Sequence, residues 1–440
     1  MSYSSTERTP RRGTEIRGSG TVAAPGRKRG LIASMYRLWT SPAAAFLFLF
    51  PTIGYYTFAA YANVVSPEGS SGGVVIRAVS LAVLVFAFLA VPRRLRRPFS
   101  ITLLPATIFI VLYGSRLIEN MLFLRLEISP GNFLVLSIFV LSSIIPAYML
   151  ASSERKISDN DMLALLSVLA ILFIFGMALN RAALVETSEW RMKLEKINPI
   201  ALAYVASSFL LFYMIAFRYS KKILIQAIFF VPVMLVIVSL ARSRGVLIST
   251  GLTVLLYVLV VKGTRRVWAF VGLGVIAVAI VAFADPKYIE VVMEALNKID
   301  ADTDMSTAGR VMAFRGAWEQ FLADPIFGRY AIELLTAYYP HNIYLESLMS
   351  VGLLGTVPLT LHCLISLRAA IGLLREKQAG FAGVFIALLF IRDAVGAAGS
   401  GAIWGASGFW ITSFLVVSMW YGRRQDQQRV EHRWRWPSPT

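Results

Sequence analysis

One cysteine occurs in the sequence, Cys363, so no disulfide can form within the chain. Three histidines accompany it, His341, His362 and His432, too few with one thiol for a structural zinc site. Charge is scarce as well. Charged residues make up 15% of the chain, where a soluble globular domain carries about 25%. Hydrophobic residues reach 57% and the mean hydropathy is +0.66. These values exclude an ordinary soluble domain and point to a bilayer. Residues 1–40 lack the apolar segment of a signal peptide. Being rich in Ser, Thr, Gly and Arg, they are expected to form a disordered basic tail against anionic headgroups.

What the chain does have is a series of apolar runs of about 18–22 residues, enough to cross a hydrocarbon core of about 30 Å. Twelve are read, near 43–62, 74–91, 100–117, 132–151, 162–179, 199–217, 223–240, 245–262, 267–284, 342–366, 379–396 and 402–421. The third holds Arg116 and the eleventh the Arg392-Asp393 pair. A net charge of +18 would suggest nucleic acid in a soluble protein. Here the basic residues follow the positive-inside rule instead: with a cytoplasmic N-terminus, every inner connection carries Lys or Arg. No nucleic-acid partner is expected, and membrane lipids are. The reading is an all-α integral membrane protein of about twelve transmembrane helices with both termini cytoplasmic. Its parts are a tail (1–40), helices one to nine (41–284), a large outer loop (285–341), helices ten to twelve (342–421) and a second tail (422–440).

The outer loop is too long to be a mere connector. Its stretches Lys287–Asp300 and Ser306–Leu322 have apolar residues at helical spacing, the second through Val311, Phe314, Trp318, Phe321 and Leu322. Both are expected to be amphipathic helices lying on the bundle or in the lipid interface. Arg310 falls at one edge of the second apolar arc and Arg315 at the other. A guanidinium turned towards the bundle needs an anion, either a nearby carboxylate (Asp300, Asp302, Asp304) or a ligand phosphate. Arg242 and Arg244 sit in a tight outer turn, against the inner bias of positive charge, either for local work or to reach headgroup phosphates. A third outer cluster, Arg181, Arg191, Lys193 and Lys196, is interleaved with glutamates and reads as a solvated mixed-charge helix.

His341 stands in Tyr339-Pro340-His341-Asn342, where the loop enters an apolar helix. A helix N-terminus disfavours the imidazolium, which suits a general base. Asn342 and Glu346 lie one turn apart, and the first amides of the helix are expected to be open to an anion. Gly352 and Gly355 are expected to let helices approach closely. An interfacial polar histidine without chemistry is the alternative.

These features together resemble the superfamily of O-antigen ligases and of O-antigen and exopolysaccharide polymerases. The residues that carry the resemblance are Ser243-Arg244-Gly245, Gly309-Arg310 with Trp318, Asp324-Pro325-Ile326-Phe327-Gly328, His341-Asn342-Ile343-Tyr344-Leu345 and Gly352-Leu353-Leu354-Gly355. The family often has Gly-x-Gly after the proline; here Gly328-Arg329-Tyr330 keeps only the first glycine. The resemblance implies a metal-independent, inverting glycosyltransferase of the bacterial inner membrane, without cofactor, acting at the periplasmic face. Its donor would be an undecaprenyl-diphosphate-linked glycan and its acceptor a glycan or lipid A-core. By the same resemblance His341 would deprotonate the acceptor hydroxyl, and Arg244 and Arg310 would hold the diphosphate with help from Arg242. Asn342, Arg315 and Arg329 would support them.

Polymerase is preferred to ligase, because the outer segments show no extra basic surface for a phosphorylated core. A transporter is the reading from another class, with Arg77, Glu119 and Arg392-Asp393 lining a path. Against it, the two halves show no internal repeat and no matched pair of broken helices.

Overall fold

The computed structural model describes residues 45, 48–65, 82, 85, 100–124, 131–153, 157–179, 184–186, 192–194, 199–216, 219–241, 243–261, 305–376 and 379–435. The described elements are helical but for one hairpin. In chain order they are α1 (Tyr55–Val65), α2 (Leu104–Glu119), α3 (Phe133–Ser153), α4 (Asp159–Leu179), β1 (Leu184–Glu186), β2 (Met192–Leu194), α5 (Pro199–Ala216), α6 (Lys221–Leu240), α7 (Arg244–Val260), α8 (Met305–Ala323), α9 (Ile343–Arg375), α10 (Gly380–Gly396) and α11 (Ser407–Arg435). The region read as a mixed-charge helix instead contains the antiparallel pair β1–β2, with Val185 opposite Lys193.

Among the described residues, six helices are long and apolar enough to cross a membrane: the α2 region (Ile101–Phe123), α3, α4, α5, α6 from Lys222, and α9; α7 is apolar but shorter. The ninth expected span, the second but for residues 82 and 85, the stretch Lys287–Asp300, Arg77 and Arg242 lie outside the described residues, as do the whole first tail and the last five residues of the second tail. The helices α5 and α10 are buried nearly all round and form the centre, as helices apolar on every face do. By contrast α4, α6 and α7 each turn a row of large aliphatic and aromatic side chains outward, including Phe175, Phe229 and Leu259. Such rows suit contact with lipid tails.

Among the described residues, the charges of the third and eleventh expected spans are paired. Arg392 donates to Asp393 Oδ1 from Nε and Nη2 at 2.9 and 2.7 Å. Its Nη1 donates to Tyr204 O and to the hydroxyls of Ser207 and Ser208. Glu119 pairs with Arg116.

The helix α9 packs against α2, α8, α10 and α11, so it organises the end of the bundle where the site forms. It is not continuous. Gly352 has φ 57° and ψ −160°, which splits α9 into a short arm, 343–351, and a long arm, 353–375. Only glycine adopts such a conformation at low cost. The turn Pro325–Gly328 fills the break: Leu353 N donates to Pro325 O at 2.8 Å and Leu354 N to Ile326 O at 3.0 Å. Arg329 N returns a bond to Met349 O at 3.1 Å. The glycine therefore serves the approach of a backbone turn rather than of a second helix, as was expected of it.

Arg116, the charge inside α2, closes the same joint. Its guanidinium donates to Ser350 O (2.9 Å), Phe327 O (3.1 Å) and Gly328 O (2.9 Å). These carbonyls are the ones a helix break and a tight turn leave unpaired, and a cation at the C-terminal end of the short arm also suits the helix dipole.

Candidate active site

The chain reaches His341 through a loop held rigidly from below. Buried Glu333 accepts from Leu335 N, Thr336 N and the Thr336 hydroxyl at 2.5, 2.7 and 2.5 Å. Its own N–H donates to Tyr338 O at 2.8 Å, which closes residues 333–338 into a tight turn. Gly316 of α8 lies flat on this carboxylate; a Cβ there would meet Glu333 Oε1 at 2.1 Å. From α2, Asn120 accepts from Ala331 N at 3.1 Å.

His341 leaves that loop with φ 57°, in the left-handed region where a non-glycine residue is strained by about 1–2 kcal/mol. Its half-buried ring packs on Tyr339 (4.4 Å between centroids) and Tyr338 (5.7 Å). Tyr339 in turn meets the edge of Trp404 at 5.9 Å. Burial first, and the nearby Arg310 charge second, hold the imidazole below its ordinary pKa. Burial likewise pushes the Tyr339 phenol up, against the opposing pull of Arg310. Both causes favour the neutral ring beside the Arg310 guanidinium.

The N-terminus of α9 is closed to an anion. Asn342 Oδ1 accepts from Tyr344 N at 3.0 Å and Leu345 N at 3.1 Å, and Ile343 N donates to Ala397 O at 3.1 Å. The expected open amides are thus already used, so Asn342 acts as the cap that fixes His341 at the helix entrance. One turn on, buried Glu346 accepts from Tyr113 Oη at 2.6 Å and Ile403 N at 2.8 Å. That carboxylate ties the short arm to α2 and to the segment 397–404, which forms one wall of the site.

The same segment receives the start of α7. Gly245 comes within 3.9 Å of Ser400 Cβ, measured from an ideal Cβ, while Ile343 Cγ2 lies 3.8 Å from the corresponding point of Gly401. The backbone of Arg244 is thereby placed near the entrance of α9; its side chain lies outside the described residues, as does all of Arg242. Arg310 is half-buried in α8 and close enough for its charge to act on His341 and Tyr339.

Residues 229–360 match the family model described as O-Antigen ligase. This segment belongs to the O-antigen ligase and polymerase superfamily. The matched O-antigen ligase region runs from α6 through α7 and α8 into α9, so it contains Arg244, Arg310, the Pro325–Gly328 turn and His341. Together with the apolar helices, the match supports a multi-pass membrane protein carrying an O-antigen ligase-like region, a region whose family implies glycosyl transfer. No curated protein matches the chain well enough to serve as a relative.

Other residues of the ligase-like region are placed differently from expectation. In α8 the buried face is Ala313, Gly316, Ala317 and Phe321, whereas Val311, Trp318 and Leu322 point outward. Small residues win the contact because α8 must lie close to the Glu333 turn. Arg315 is exposed and pairs with Glu319 at 2.8 Å, which raises its pKa. Arg329 is exposed, with its guanidinium 5.4 Å from the Tyr330 ring centre. Arg116, Tyr338 and Trp404 were not anticipated as parts of the site or its frame, and Glu346 was noted one turn from Asn342 without its partners Tyr113 and Ile403. The one signal was Arg116, a charge in an apolar run whose purpose only its distant partners reveal.

Proposed function

We propose that the protein transfers a glycan from an undecaprenyl-diphosphate-linked donor to an acceptor hydroxyl at the periplasmic face of the inner membrane, polymerising O-antigen or exopolysaccharide repeat units. The observation that carries this reading is the half-buried, neutral His341 at the entrance of α9, within the field of Arg310. In the reaction His341 takes the hydroxyl proton while the acceptor oxygen attacks the anomeric carbon. The bond from that carbon to the diphosphate oxygen breaks, and undecaprenyl diphosphate leaves with the electron pair. Attack opposite the leaving group inverts the anomeric centre. A positioned base contributes about 10²–10⁴-fold, and fixed guanidinium groups stabilise the departing diphosphate.

Arg310 and Arg244 are proposed to hold that diphosphate, with Arg242 assisting. The start of α7 supports this placement, since no side chain among the described residues caps it at Ser243, and a helix N-terminus attracts phosphate. Asn342 fixes the base rather than binding the anion. Arg329, exposed beside the Pro325–Gly328 turn, is proposed to meet substrate at the rim.

The test is His341→Ala in a deletion strain, read by glycan profiling. Loss of polymer with normal amounts of membrane-inserted protein is expected; near-normal polymer would remove the histidine from the chemistry. Accumulation of single lipid-linked repeat units in the deletion strain supports a polymerase. Accumulation of full-length lipid-linked polymer would make the enzyme a ligase acting on lipid A-core.

A further inference from the structure

At the end of α9 farthest from His341, a cavity of about 710 Å³ opens between α9 and α11. Residues 353–375 rise about 35 Å at 1.5 Å per residue, roughly the thickness of a hydrocarbon core. The cavity therefore lies at the membrane face opposite the candidate active site, and it is independent of the transfer chemistry.

Its wall is apolar: Leu364 and Leu367 of α9, with the ring of Trp420 from α11. That ring is seated against Gly372, where a Cβ would come within 2.5 Å of it. Three guanidinium groups form the rim, Arg368 and Arg375 on α9 and Arg424 on α11. Arg424 stacks on the outer side of Trp420, 4.3 Å from the ring centre. The one lining carboxylate, Glu376, leans towards Arg423 at 4.0 Å. Among the described residues no carboxylate pairs with Arg368, Arg375 or Arg424, and all three are exposed.

Leading to this rim is an aliphatic track along the outside of α9. Leu353, Val357, Leu361, Leu364 and Leu367 are all exposed at spacings of three or four residues. A track of this kind takes a hydrocarbon chain, while convergent guanidinium groups at the headgroup layer take a phosphate with forked hydrogen bonds. Basic pockets between transmembrane helices are suited to anionic headgroups.

We propose that this cavity is a binding site for an anionic phospholipid, with its phosphate among Arg368, Arg375 and Arg424 and one acyl chain along the α9 track. The full-length protein would be purified in mild detergent and offered equimolar phosphatidylglycerol and phosphatidylcholine with identical acyl chains. Retained lipid would then be counted by native mass spectrometry. Phosphatidylglycerol should be favoured about fivefold or more, which corresponds to about 1 kcal/mol, near the value of one arginine at an anionic surface. In the triple variant R368Q/R375Q/R424Q the ratio should fall towards one. Equal retention of the two lipids by the native protein, or an unchanged ratio in the triple variant, overturns the proposal. If the triple variant does not run as a monodisperse species, the three single variants replace it, and each must lower the ratio. Displacement of the lipid by millimolar inorganic phosphate would reassign the site to a soluble anion and also overturn the proposal.

Discussion

Gly328 and Gly352 meet backbone to backbone, both with positive φ, at the joint between the Pro325–Gly328 turn and the two arms of α9. A Cβ on Gly352 would stand 2.4 Å from the carbonyl of Ile326, and one on Gly328 would stand 2.6 Å from the amide of Gly352. Neither position has room for a side chain, because the hydrogen bonds that satisfy the broken helix require this approach. Gly352→Ala is expected to destabilise the protein by about 3 kcal/mol or more, from the left-handed conformation and the backbone collision together. Gly251→Ala, in α7 with open space beside it, should be neutral or slightly stabilising. Thermal unfolding in detergent by intrinsic fluorescence compares the two; equal melting temperatures would show that the joint is not under this constraint.

Arg116 bridges α2 to the carbonyls of Ser350, Phe327 and Gly328. Arg116→Gln should lower stability by about 1–3 kcal/mol, since two part-buried carbonyls and one exposed carbonyl lose a charged donor. Arg116→Lys should rescue little of this, because a single ammonium cannot address three carbonyls set around a planar fork. Rescue by lysine to the native melting temperature would count against the geometry.

His341 carries backbone strain and, in the proposed reaction, the base at one position, so the two can be separated. His341→Gly relieves the positive φ and should leave the melting temperature unchanged or raise it, by up to about 1 kcal/mol of stability. Transfer should nevertheless be lost. A variant that is both stabilised and active in polymer formation would show the residue to be a structural turn and nothing more.

Arg310 lowers the pKa of His341, after burial, by disfavouring a second positive charge. A base with a lowered pKa stays neutral to a lower pH, so the native protein should keep activity to a lower pH than an unshifted imidazole would allow. Arg310→Gln should therefore do two things. It should weaken donor use, and it should move the acidic limb of the pH–kcat/KM profile upwards, because the imidazole then protonates more readily. Profiles from purified protein with a lipid-linked donor decide the matter. An acidic limb that stays in place, or shifts downwards, would mean that Arg310 does not act on the base.

The linear sequence was enough to point to a bilayer, to find the apolar runs that became α2 to α7 and α9, and to single out His341, Arg244 and Arg310 as candidates. Hydropathy, charge bias and short motifs are properties of neighbouring residues, so they survive without coordinates. The tertiary structure alone decided what needs two distant segments to meet. It turned the small-residue face of α8 inward, since close approach to the Glu333 turn outweighs apolar area. It closed the amides of α9 with Asn342 and Ala397, and it gave Arg116 its carbonyls more than two hundred residues away. Those outcomes depend on which backbone groups a break in a helix leaves unpaired, and no local pattern records where their partners will come from.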